Sequence, residues 1–120
     1  MALEVSFLPE ATAFVNALDE KAREKVFFNI RKTRIGLSGE WFQKMSGTDE
    51  IWEFRTLYNK QYIRLFAFWD KRNRSQTLII CTHGFLKTTD KTPLQEITRA
   101  EQIRTFYFKT QNYELIQKKT

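Results

Sequence analysis

The chain has 120 residues, with 20 Lys and Arg against 14 Asp and Glu, a formal net charge of +6 and a pI near 9.6. That is the length of one domain, expected to span residues 1–120, and its core is large enough to need no covalent staple. A hydrophobic share of 42%, with 15% aromatic, excludes disorder, and a lone Cys81 beside a lone His83 excludes an internal disulfide and a structural zinc site.

The elements follow in order. Glu4 to Phe7 alternates as a short edge strand, and Pro9 then stands where a first helical residue belongs. Ala11, Phe14, Val15 and Leu18 recur at helical spacing, so a first helix should bury that stripe. Asp19 restarts the pattern. Asp19, Glu20 and Glu24 lead, Arg31, Lys32 and Arg34 trail, and Gly36 supplies the stop, as the helix dipole favours; Ala22, Val26, Phe27 and Ile30 give the second helix its buried face. Trp41, Phe42 and Met45 read as core residues after the Gly36–Gly39 turn.

From Ile51 the period changes to two. Ile51 to Tyr58 and Gln61 to Asp70 read as strands joined by Asn59 and Lys60, a tight hairpin in which lysine replaces the usual glycine. Thr77 to Phe85 is a third strand, reached through the charged loop Lys71, Arg72, Asn73, Arg74, Ser75. Thr92 as N-cap, Pro93 as first residue and Gln95 as partner of a capping box open a last helix whose stripe is Ile97, Ala100, Ile103 and Tyr107. Its Lys118, Lys119, Thr120 end is expected to fray.

Charge is uneven along this order. Residues 1–50 carry 7 basic and 8 acidic side chains, whereas residues 51–120 carry 13 and 6, so the positive field belongs to the second part. Such a field attracts a polyanion, or serves solubility alone. Met1 to Val5 has no basic or apolar signal region and no apolar run reaches membrane-spanning length, so the expected setting is the cytoplasm, with no membrane contact.

Hairpin arithmetic gives the sharpest expectation. If Asn59 and Lys60 form the loop, Tyr58 faces Gln61 and Arg55 faces Arg64, while Trp52, Phe54, Ile63, Leu65 and Ala67 share the opposite, core face. Like charges directly across a ladder repel, so something anionic should offset them. Two readings stay open. The pair could clamp a phosphate, or Glu53, diagonal to Arg64 on the same face, could complete an ordinary ion-pair cluster. At the end of the third strand and just beyond it, His83, Gly84, Phe85, Lys87 and Lys91 bring together a proton carrier, an aromatic ring and cations, the ingredients of an RNA site.

The run Trp52-Glu53-Phe54-Arg55, Tyr58-Asn59, Arg64-Leu65-Phe66, His83-Gly84-Phe85-Leu86-Lys87, Lys91-Thr92-Pro93, Glu96-Ile97 and Ala100 resembles the phage Gp49-like, HigB-type branch of the RelE/ParE toxin superfamily. The resemblance covers nearly the whole chain. It departs at Lys60, Thr88 and Ala67, where the family usually has glycine, lysine and tyrosine. It implies an α+β fold, with a short N-terminal strand and two helices packed on a twisted antiparallel sheet and a closing C-terminal helix. It further implies the toxin of a type II toxin-antitoxin system, an mRNA endoribonuclease acting on the ribosome by metal-independent attack of the 2′-OH on the adjacent phosphate, without a cofactor.

In that reading Arg64 and Arg55 stabilise the phosphorane and His83 is the conditional acid or base. Lys87 and Lys91 hold flanking phosphates, Phe85 stacks on a base, and Lys71, Arg72 and Arg74 extend the RNA-binding surface. Partners would be mRNA on the ribosome and a cognate helix-turn-helix antitoxin, the toxin being a monomer when free and a hetero-oligomer when neutralised. Alternatives are a ParE-like inhibitor of DNA gyrase without nuclease activity, and a non-catalytic nucleic-acid-binding phage module.

Overall fold

Pro9 occupies the first turn of helix α1 (Pro9–Asn16), where its fixed φ is already helical and its missing N–H is no loss. Helix α2 (Glu20–Arg34) follows and ends in a Schellman motif: Gly36 adopts a φ of +93°, its N–H reaches the Thr33 carbonyl, and the Leu37 N–H reaches that of Lys32. This chain geometry comes from a computed structural model that describes residues 2–119 apart from 49 and 90, and side chains from 3 to 110 apart from the same two. Of the end expected to fray, Lys118 and Lys119 still belong to the last helix, and Thr120 lies outside the described residues.

Strands β1 (Ala2–Phe7), β2 (Phe42–Lys44), β3 (Trp52–Tyr58), β4 (Gln61–Asp70) and β5 (Gln76–Lys87) form one sheet in the order β1-β5-β4-β3-β2. The architecture is α+β as expected, but the sheet is mixed, because β1 runs parallel to β5 while every other pair is antiparallel. That pairing joins the two ends of a long connection, so local periodicity carries no trace of it. The three-residue β2 was likewise read only as core residues; Phe42 and Met45 are buried as expected.

Both faces of the sheet are covered. On one, Phe54, Ile63, Leu65, Ala67, Ile79 and Cys81 pack against Ala11 and Val15 of α1 and Ala22, Val26 and Ile30 of α2. On the other, helix α3 (Leu94–Lys119) lays Ala100 over Phe66 and Tyr107 over Phe68 and Ile80. Tyr107 also donates its hydroxyl to Asp70 at 2.8 Å. The α3 start departs from expectation. The helix begins at Leu94, and the Thr92 hydroxyl, expected to cap it, bonds instead to Lys87 and Glu53. No described helix is long and apolar enough to cross a membrane.

One irregularity decides which side chains share a surface. Leu65 pairs with Gly84 but Ala67 pairs with Cys81, so Thr82 and His83 of β5 together oppose Phe66. This bulge reverses the alternation of β5. Cys81 lies on the α1 and α2 side, whereas Phe85 and Lys87 turn toward the α3 side; regular alternation would have sent them the other way.

Candidate nucleic-acid interface

The hairpin adopts the expected register. Asn59 and Lys60 both take positive φ, 49° and 64°, which makes a type I′ turn, and Tyr58 pairs with Gln61. Lysine therefore accepts the left-handed region that glycine usually fills. Two-residue loops fix parity, and Arg55 stands opposite Arg64. Trp52, Phe54, Ile63, Leu65 and Ala67 share the opposite, core face.

What offsets the two guanidinium groups is internal. Glu53 is buried, 1% exposed, and its Oε1 lies 2.7 Å from Arg55 Nε and 3.4 Å from Arg64 Nε. Its Oε2 accepts the Thr92 hydroxyl at 3.2 Å, and Thr92 in turn accepts from Lys87 Nζ at 2.9 Å. The charge that offsets the pair is thus the carboxylate of an ion-pair cluster rather than an external anion, and it lies deeper than a surface cluster would. The arginines also differ in depth. Arg64 is 3% exposed, whereas the Arg55 side chain is 40% exposed. Arg55, Arg64 and Lys87 against Glu53 nevertheless sum to a formal charge of +2.

These groups adjoin an open cleft of roughly 620 Å³, lined by Glu40, Trp41, Gln43, Arg55, Thr56, Leu57, Tyr62 and Arg64. It lies where β2 begins, at Phe42, so that β3 beyond Phe54 has no strand neighbour on that side. The Arg55 N–H is held by the Trp41 carbonyl at 2.8 Å, which fixes one wall. Tyr62 precedes Arg64 by two residues on β4, and its ring centroid lies 5.4 Å from the Arg64 guanidinium carbon.

The other expected site residues divide by position. Lys87 belongs to the charged network through Thr92, and Lys91 is exposed in the connection that follows β5. Phe85 pairs with Arg64 across the sheet and, half-buried, packs against the cluster of Met45, Ile51, Phe66, Ala100 and Ile97; it does not line the cleft. His83 is 2% exposed beneath α3. Its ring stacks on Phe66 at 4.9 Å, Nδ1 lies 3.0 Å from the Thr82 hydroxyl, and Nε2 lies 3.0 Å from Glu96 Oε1. Burial pushes its pKa below the usual value, a shift that the Glu96 hydrogen bond opposes.

Lys71, Arg72 and Arg74 are not brought to the cleft. They follow the far end of β4, and at about 3.3 Å per residue Lys71 lies roughly 23 Å from Arg64 along the strand. Arg72 ties the sheet to α3 instead, with Nη2 2.8 Å from Asp70 Oδ2 and its guanidinium against the Phe108 ring. Its hydrogen bonds hold the Asp70 carboxyl below the usual range, while burial and the Asp70 hydrogen bond push the Tyr107 phenol up to about 12. Cys81 is buried, and burial raises its thiol pKa far above the range in which a thiolate forms, so it is no nucleophile. Among the described residues no group of three or more His, Cys, Asp and Glu could hold a metal ion.

Sequence reasoning left out Tyr62 and Glu40. Tyr62 was accessible to the parity that placed Arg64, since residues two apart on a strand share a face. Glu40 precedes β2 and no periodic signal marks it.

A three-helix α+β domain with a mixed sheet and a basic cleft beside its central hairpin is compatible with the RelE-like fold. The chain belongs to the family of phage-derived Gp49-like proteins (DUF891), which matches residues 13–105 and is related to RelE-type toxins. That membership is compatible with a toxin module of a toxin-antitoxin pair and implies an antitoxin partner in general terms. No curated protein matches the sequence.

Proposed function

We propose that this protein is a HigB-type toxin that cleaves mRNA on the ribosome and is neutralised by a cognate antitoxin. The observation that carries the reading is the cleft in which Arg55 and Arg64, in register across a type I′ hairpin, stand beside Tyr62 and Glu40. Family membership supports it independently.

The chemistry follows from what lines the cleft. In such a reaction the substrate's own 2′-OH attacks the adjacent phosphate, the P–O5′ bond breaks to leave a 2′,3′-cyclic phosphate, and the departing 5′-oxygen takes a proton from water. The protein therefore supplies position, charge and a base, and needs neither a metal nor a nucleophile of its own. Arg55, partly exposed, meets the phosphate oxygens. Arg64 forms the floor, adding positive potential where charge grows on the phosphorane. Lys87 serves a flanking phosphate once it leaves Thr92. Glu40 is the carboxylate lining the cleft and takes the 2′-OH proton, a role that His83 under α3 is badly placed to fill.

Burial of His83 favours a second reading, a nucleic-acid-binding module that does not cleave. Induction in growing cells, with RNA 5′ ends mapped, separates the two. The nuclease reading predicts translation arrest with new ends inside open reading frames, lost in Glu40→Gln and Arg55→Ala. Intact transcripts would contradict it, and a DNA-damage response in their place would indicate a gyrase target.

A further inference from the structure

We infer that Tyr62 is the stacking platform for one unpaired nucleobase beside the phosphate at Arg55, so that the cleft selects single-stranded RNA. The inference rests on the RNA reading above and adds the group that recognises a base. Three rings invite comparison, and two are occupied. Phe85, the ring first expected to stack, packs against the cluster under α3 and does not line the cleft. Trp41 lines the cleft, but Lys32 Nζ sits 3.7 Å from its ring centroid, its indole N–H is donated to Thr33, and its six-membered ring lies against Gly39 so closely that a Cβ there would come within 2.0 Å of it.

Tyr62 is half-buried like both but differs in its surroundings. It lines the cleft, and lies across the sheet from Leu57 on one side and Lys87 on the other. Its backbone is held between two paired strands at the lining of the cleft. The Arg64 guanidinium 5.4 Å from the ring centroid sets a fixed cation against the π system, a packing that holds the ring's orientation. A base laid on Tyr62 therefore has its phosphate within reach of the arginine side of the same cleft. Bases in a duplex are already stacked on their neighbours, so only an unpaired nucleotide fits this arrangement.

The test compares a short single-stranded oligoribonucleotide with an oligomer of the same length and charge whose residues are all abasic. Wild-type protein is expected to bind the base-bearing oligomer more tightly. Tyr62→Leu should lower that affinity by about fivefold to a hundredfold, the range for loss of one stacked base, with abasic binding unchanged, and Tyr62→Phe should restore it. Equal losses on both oligomers, or unchanged binding of the base-bearing one, would overturn the stacking role. Their pattern also separates the two levels of the argument: if Arg55→Ala weakens both oligomers while Tyr62→Leu weakens neither, the RNA reading stands and the platform falls. If wild type binds neither oligomer, both fall.

Discussion

Thr92 donates its hydroxyl to Glu53, joining the segment just before α3 to the carboxylate between the two arginines. The same oxygen accepts from Lys87, so one threonine side chain links three strands and the approach to the closing helix through Glu53, Arg55, Arg64 and Lys87. Thr92→Val keeps the shape and removes both bonds. We expect a loss of about 1–3 kcal/mol, because each partner is charged, read as a lower denaturant midpoint with unchanged slope. An unchanged midpoint would mean that water replaces the hydroxyl without cost.

Glu53→Gln tests the carboxylate itself. Neutralising a buried partner of two guanidinium groups should cost about 3 kcal/mol of stability. Removing the same negative charge should tighten binding of an oligoribonucleotide at low salt by about 1 kcal/mol, roughly fivefold. Opposite movement of the two quantities is the expected signature. Parallel losses would place the anion site elsewhere.

The Gly84 of the His-Gly-Phe segment is explained by its neighbour across the core. A Cβ on Gly84 would lie 2.1 Å from the Phe14 ring, so α1 closes on the bare backbone there. Gly84→Ala should cost about 1–3 kcal/mol as Phe14 is displaced, measured by thermal or denaturant unfolding. A neutral substitution would show that the ring simply swings aside.

For His83 the sign of the pH effect follows from its burial. A histidine held neutral in the fold and free to protonate in the unfolded chain contributes nothing to the slope above its unfolded pKa near 6.5, and lowers stability increasingly as pH falls below it. Glu96, Glu10 and Arg99 also act on this ring, the carboxylates raising its pKa and the guanidinium lowering it. Stability of the wild type should therefore fall more steeply from about pH 6.5 to about pH 5 than that of His83→Gln. Identical slopes would show that the ring protonates as easily folded as unfolded.

The fold was legible where local rules suffice. A two-residue turn fixes parity, so the Arg55 and Arg64 pairing and the apolar face opposite them could be read before any coordinates. Depth was not legible. Glu53 lies buried against Thr92, just before α3, a contact between segments far apart in sequence, and the burial of Arg64 is likewise unmarked in its own strand. The bulge at Thr82 and His83 leaves no mark on composition, yet it alone sends Lys87 to the arginine side and His83 beneath α3. Lys71, Arg72 and Arg74 were grouped with the site by charge, and only the ten-residue length of β4 separates them from it.

The depth difference also selects the probe for the central claim. Arg64→Ala would empty a buried position and confound folding with binding, whereas Arg55 is partly exposed and can be removed with the strand in place. The decisive measurement is the salt dependence of single-stranded oligoribonucleotide binding by wild type and Arg55→Ala, with unfolding curves confirming both folds. If Arg55 contacts a phosphate, the slope of log affinity against log salt should shrink by about 0.7 in the variant, one counterion-releasing contact fewer. Identical slopes and affinities would mean that the cleft does not hold the RNA backbone.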